Sequence, residues 1–302
     1  MGSCSMSNGH ASGSTDGSNE MQRVITCDLT FDVIEHTEIV VQIVAAESAG
    51  RVVDERFGVA IAGSPPPSVV ELRNSVGERM HVIRADPGRL SVSYRSQLQA
   101  APPPPLNSPA AMRDVDEEER SLAYEKQIYL RPSRYVPSDH LIGFAVAEFG
   151  IGSDVTSRVA AITDWIRQRI SYVPGSSDVH DSAEDTLLTG EGTCRDFAHL
   201  GIALCRATGV PARFAAVYAP GLTPMEFHSV FEAVQDGCWY VHDATALAPR
   251  SSLVRIATGR DAADAAFSTI NSGIASPDSV VVSATVGSHL PFDDHLKLIQ
   301  LA

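Results

Sequence analysis

The sequence predicts an α+β protein with an antiparallel β region at its N-terminal end. Three observations predict it: strand-like runs fill much of residues 22–99, a helical spacing of apolar residues takes over near residue 155, and strand-like segments return after residue 212. Helices followed by a block of strands fit an α+β arrangement better than alternating βαβ units.

Taken in order, residues 1–20 are rich in Ser, Gly and Asn and read as a disordered leader, with Met21 opening folded structure. They have neither the basic start nor the apolar middle of a secretory signal, and Cys4 and His10 are expected to be idle there. Residues 21–100 read as an antiparallel β domain of sandwich type. Residues 24–33 and 89–94 alternate, residues 39–44 form an apolar run, and Asp86-Pro87-Gly88 supplies turn material. Cys27 falls in step with core positions and is expected to pack. Residues 101–128 read as a linker: prolines at 102 to 105 remove backbone donors, and the acidic run at 114–119 is expected to be a solvated surface.

Val155, Val159, Ile162, Ile166 and Ile170 then recur at helical spacing. A short helix is expected around residues 185–188, and a longer one from about Thr193 to Thr208, stopped by Gly209 and Pro211. Strands are expected at 212–218, 227–234 and 238–243, with Asp236-Gly237 as a hairpin turn between the last two. Residues 129–273 are taken as the chemistry-bearing domain. Residues 274–302 are taken as closing strands, at 280–286 and 296–301.

Composition limits the function. The chain has 302 residues, 44% of them hydrophobic, and a net charge of −14 from 23 Lys plus Arg against 37 Asp plus Glu. That balance argues against nucleic acid or an anionic membrane as partner, since phosphates are held by clustered cations. No stretch approaches the ~18 consecutive apolar residues of a membrane helix. Five scattered cysteines do not make a disulfide framework, so reduced thiols in the cytoplasm are expected. Oligomeric state is not legible.

Cys194 opens the long helix, where unpaired backbone N–H groups and the positive end of the helix dipole favour thiolate. Downstream lie His228 and Asp243. If Asp236 and Gly237 form a two-residue loop, Gln235 pairs with Cys238 and His228 falls opposite Thr245. Asp243 is then a diagonal neighbour on the same face, while His242 points to the other. A thiol and an imidazole oriented by a carboxylate make an activated nucleophile. Zinc held by Cys194, His228, His242 and Asp243 is disfavoured, because adjacent strand residues point apart and there is no paired-cysteine knuckle. Cys205, Cys238 and His199 are expected to be structural. Tyr172 and Trp239 are weighed as groove-lining or core, with core preferred, and His180 receives no role.

The segment Gly190-Glu191-Gly192-Thr193-Cys194-Arg195-Asp196-Phe197, with Cys205-Arg206-Ala207-Thr208-Gly209-Val210-Pro211 after it, resembles the nucleophile region of the transglutaminase-like superfamily. Phe227-His228-Ser229-Val230-Phe231-Glu232 and Trp239-Tyr240-Val241-His242-Asp243-Ala244-Thr245 resemble its later motifs. Residues 129–135 resemble the opening stretch of bacterial members with an N-terminal β domain. The resemblance implies a papain-like core in which the helix carrying Cys194 packs on an antiparallel sheet. It implies Cys194 as nucleophile, His228 as base and Asp243 as orienting acid, acting on a peptide or protein amide through a thioester, without metal or cofactor. Hydrolysis and amine transfer both lie within the family. A different class, a catalytically silent peptide-binding or scaffold protein using the same cleft, is the alternative.

Overall fold

The computed structural model describes residues 22–99, 115–152, 154–287 and 289–301. The leader and the proline run therefore lie outside the described residues. The first described segment supplies six strands: β1 (Gln22–Val33), β2 (Thr37–Val41), β3 (Arg51–Ile61), β4 (Ser68–Arg73), β5 (Arg79–Ala85) and β6 (Gly88–Gln99). In β1 the alternation puts Ile25, Cys27, Leu29, Phe31 and Val33 inside, and in β6 it buries Leu90, Val92, Tyr94 and Leu98. Cys27 packs there as its place in the pattern predicts.

Helix α1 (Val115–Ile128) follows, within the range expected to be linker. Its sequence contains neither Pro nor Gly to interrupt it, so only the proline-rich part of that range has a breaker. Then come α2 (Ile142–Phe149), α3 (Val155–Arg169), β7 (Ser171–Tyr172), α4 (Ala183–Thr189), β8 (Glu191–Gly192) and α5 (Cys194–Ala207). Asp154 caps α3, its carboxylate accepting from the Ser157 N–H at 3.0 Å. Val159, Ile162 and Ile166 are fully buried, while Val155 at the first turn is exposed. Phe144 and Phe149 of α2 meet Trp165 of α3 edge to face.

Strands β9 (Ala212–Tyr218), β10 (Phe227–Gln235), β11 (Cys238–His242) and β12 (Val254–Gly259) form one antiparallel sheet in the order β11-β10-β9-β12. The hairpin register is Gln235 opposite Cys238 and Phe231 opposite His242. Asp236 and Gly237 both have positive φ, as a two-residue turn of this kind requires. Helix α5 packs on this sheet, with Phe231 of β10 against Gly201.

The last two strands, β13 (Ser268–Ser272) and β14 (Ala275–Val286), leave this sheet and return to the first region. β14 pairs with β1 and β13 with β2, giving two antiparallel sheets in the orders β14-β1-β6-β3 and β13-β2-β5-β4. Residues 280–286 are thus a strand, but they close the N-terminal sandwich. β13, within the range 129–273, belongs to the sandwich as well. Residues 296–301, expected to be a strand, are not one: the Asp294 carboxylate accepts from the N–H groups of Leu296 and Lys297 and turns the chain. Val241 N–H donates to the Ile299 carbonyl, and Ile299 and Leu301 pack on the sheet.

A continuous hydrophobic core runs through both regions, joining Ile25, Leu29 and Tyr94 to Leu200, Tyr218 and Ile256. Polar contacts reinforce the junction. The Tyr218 hydroxyl donates to the Ile43 carbonyl at 2.5 Å, Arg23 donates to the carbonyls of Ser251 and Ser252, and Glu78 accepts from the Thr258 N–H at 2.7 Å.

Candidate active site

The start of α5 is built by its own sequence. Gly190 ends α4 with φ of 72°, in the left-handed region. Gly192 follows, and a Cβ there would lie 2.7 Å from that of Asp196, so the close turn into the helix requires glycine. Thr193 and Asp196 form a reciprocal capping box, with Thr193 N–H 2.7 Å and its hydroxyl 2.8 Å from Asp196 Oδ2. Burial opposes ionisation of Asp196, yet the Thr193 N–H and the hydroxyls of Thr193 and Ser177 hold its carboxyl below the usual range. Cys194 is therefore the first residue of a firmly capped helix, and its side chain is partly exposed.

His228 lies near the start of β10, buried. Its Nε2 is 2.9 Å from Asp243 Oδ2. Asp243 follows the last residue of β11 and is also buried, and its Oδ1 accepts from the N–H and hydroxyl of Thr245 at 2.9 and 2.6 Å. The other ring nitrogen of His228, Nδ1, is buried with no partner in hydrogen-bonding geometry. Cys194 interacts with the ring closely enough to raise its pKa. Burial would lower the imidazole pKa, but the Asp243 carboxylate, aided by Cys194, outweighs it and lifts it to about 10. Burial likewise opposes ionisation of Asp243, and His228 and Thr245 overcome it, keeping the carboxyl below its ordinary range. The arrangement is suited to holding a proton on the ring beside a sulfur that can carry negative charge.

Tyr172 stands next to Cys194. β7 runs parallel to β8, pairing Tyr172 with Gly192, and its ring meets Phe197 at 6.0 Å. Burial first, and then the nearby Cys194, push the phenol up to about 12. It is exposed, so the core position expected for it is not the one it takes. Trp239 instead packs under Arg213 and beside Tyr129.

The remaining candidates sit apart from the Cys194 cluster. His242 stacks on Phe231, and burial and Arg250 lower it to about 3, so it is neutral. His199 is fully buried between Tyr135 and Phe214, accepts from Ala262 N–H, and is lowered to about 4 chiefly by burial. Cys205 is fully buried and pushed up to about 12. Cys238, expected to pack, is exposed, because it opens β11 directly after the turn. His180 is exposed, with Arg134 3.5 Å from its Nδ1. Among the described residues no group of three or more His, Cys, Asp or Glu could hold a metal ion, and no helix is long and apolar enough to cross a membrane. Thr245 was not singled out from the sequence, although Asp-x-Thr just past a strand is a recognisable Asx-turn signal. A cavity of about 70 Å³ lies behind Asp243, lined by Arg167, His242, Arg250 and His295 among others.

An α+β fold with a partly exposed cysteine at a helix start, facing a buried histidine–carboxylate pair, defines a thiol-bearing papain-like class. Residues 146–244, which include Cys194, His228 and Asp243, match the family model of the transglutaminase-like superfamily. A solved structure from Cytophaga hutchinsonii, of a protein named as a candidate cysteine protease, is 36% identical. It covers 91% of this chain and 93% of its own, with a TM-score of 0.76. The chain belongs to the transglutaminase-like superfamily. An uncharacterised protein of Mycobacterium leprae is 28% identical over 166 residues, covering 52% of this chain and 60% of the relative. An uncharacterised Mycobacterium tuberculosis protein is 27% identical over 136 residues, 43% of each chain. The chain thus spans 60% and 43% of the length of these curated relatives, in both cases less than two thirds.

Proposed function

We propose that this chain hydrolyses amide bonds in peptide or protein substrates, with Cys194 as nucleophile, His228 as base and acid, and Asp243 as orienting acid. One observation carries the reading: His228 is buried with Nε2 fixed on Asp243 and Nδ1 left without a hydrogen-bond partner beside Cys194. Nδ1 takes the thiol proton, Sγ attacks the carbonyl carbon, and the C=O electron pair moves to oxygen. The Cys194 backbone N–H, at the first turn of α5, serves as a donor to that oxygen. Nδ1–H then protonates the leaving amine, and a thioester remains for water to cleave. An amine can replace water in the last step, which would make the same site an acyltransferase. A reducing, cytoplasmic setting suits the free thiol.

The test is intact-mass analysis after exposure to a panel of peptide acyloxymethyl ketones, followed by digestion of unmodified peptides with and without added amine. Covalent labelling of the native enzyme at Cys194, absent in Cys194→Ala, with peptide cleavage, supports hydrolysis. Amine-linked products support transfer. Equal labelling of the native and Cys194→Ala proteins, or a Cys194 no more reactive than a model thiol, would leave a silent binding protein as the better description.

A further inference from the structure

The two oxygens of Asp243 have separate duties. Oδ2 faces His228 at 2.9 Å, and Oδ1 accepts both donors of Thr245, the hydroxyl at 2.6 Å and the N–H at 2.9 Å. The Thr245 hydroxyl itself accepts from the Leu247 N–H at 3.3 Å. Its single proton is therefore directed at Asp243. Asp243 lies just beyond the β11 ladder, so strand pairing does not hold it. Its carbonyl accepts from Arg167 Nη2 at 3.3 Å, which steadies the backbone but not the carboxylate plane. Rotation about the terminal torsion of an Asp is soft, so something must fix that plane.

We propose that Thr245 is a positioning residue for this site: its hydroxyl locks the Asp243 carboxylate so that Oδ2 holds His228 with Nδ1 toward Cys194. The inference rests on the thiol–imidazole pairing proposed above. The other ionisable groups near the cluster come from separate elements. Cys194 and Asp196 come from α5, Tyr172 from β7, Glu226 from the segment before β10, Asp164 and Arg167 from α3, His242 from β11, Arg250 from the segment after it and His295 from the C-terminal segment. The hydrogen bonds to Asp243 Oδ1 come from Thr245. Without its hydroxyl, the carboxylate keeps only the N–H on that oxygen, its plane is free to turn Oδ2 away from the ring, and Nδ1 is no longer held toward Cys194.

The experiment measures carboxamidomethylation of Cys194 by iodoacetamide against pH, quantified at that residue by mass spectrometry. The proteins are the native one and the Thr245→Val, Thr245→Ser and His228→Ala variants. Native protein is expected to react faster at Cys194 at pH 6 than His228→Ala. In Thr245→Val the rate at pH 6 should fall about tenfold, and Thr245→Ser should restore it. A Thr245→Val profile that coincides with the native one, even with a lowered unfolding midpoint, shows a purely structural threonine and overturns the proposal. So does a Thr245→Ser profile no better than that of valine. A native profile identical to that of His228→Ala sinks the thiol–imidazole pairing itself, and the positioning role with it.

Discussion

Phe231 of β10 lies against Gly201 of α5 so closely that a Cβ at position 201 would sit 2.5 Å from the ring. The helix that presents Cys194 is thereby seated directly on the sheet that carries His228. Gly201→Ala should gain up to ~1 kcal/mol of helix propensity but lose more by overpacking, for which ~1–3 kcal/mol is usual. Urea unfolding should therefore show a net destabilised variant. A stabilised Gly201→Ala would mean that the helix can lift off the ring at little cost.

The His228–Asp243 pair should make stability depend on pH in a defined sense. The imidazole pKa rises to about 10 in the folded protein from an ordinary value near 6.5. Its contribution is fully present below about pH 6.5 and is lost as pH rises through about 10. Asp243, held below its usual range, contributes in the opposite direction and loses its share as pH falls. Asp243→Asn should abolish the decline of unfolding free energy expected in the native protein as pH rises from about 6.5 through about 10. An equal decline in native and variant proteins would assign it to other groups.

Glu232 is fully buried between Arg213, at 2.7 Å, and Arg255, at 2.7 Å. Burial opposes its ionisation, but Arg255 and Arg213 more than compensate and hold the carboxyl below its ordinary range. Glu232→Gln leaves two cations facing a neutral amide and should cost ~3–5 kcal/mol. Chemical denaturation at neutral pH measures it.

Thiol reactivity should divide the cysteines by environment. Burial pushes Cys27 and Cys205 up to about 12, whereas Cys194 is partly exposed and Cys238 is exposed. Brief iodoacetamide treatment of native protein near pH 7 should label Cys194 and Cys238 and spare Cys27 and Cys205, as read by peptide mass mapping.

At the junction, Tyr218→Phe should leave the buried Ile43 carbonyl without its donor. A loss of ~1–3 kcal/mol is expected in equilibrium unfolding.

Much of the site was legible because local rules fix it. A two-residue Asp-Gly turn sets the β10–β11 register, and the same alternation brings His228 and Asp243 together while turning His242 away. Helix α5 announced itself through Thr193 at its cap and Gly209 beyond its end. What escaped depends on distant partners or on weak pattern. β3 and β4 are largely exposed, and the adjacent valines at 52–53 and 69–70 break a strict alternation. α2 spans only eight residues. The return of β13 and β14 to β2 and β1 joins opposite ends of the chain, and nothing local in residues 268–286 names those partners. Thr245 escaped because its role depends on which oxygen of Asp243 faces His228.

The crossing of β14 back to β1 has a consequence for biosynthesis. While the polypeptide emerges from the ribosome, β1 can find β6 early, but its other flank stays bare until the last strands are made. The nascent sandwich must wait with an open seam while everything between is translated. Closure of the sandwich then hinges on a late zipping event, because β14 follows Cys194, His228 and Asp243 in the chain.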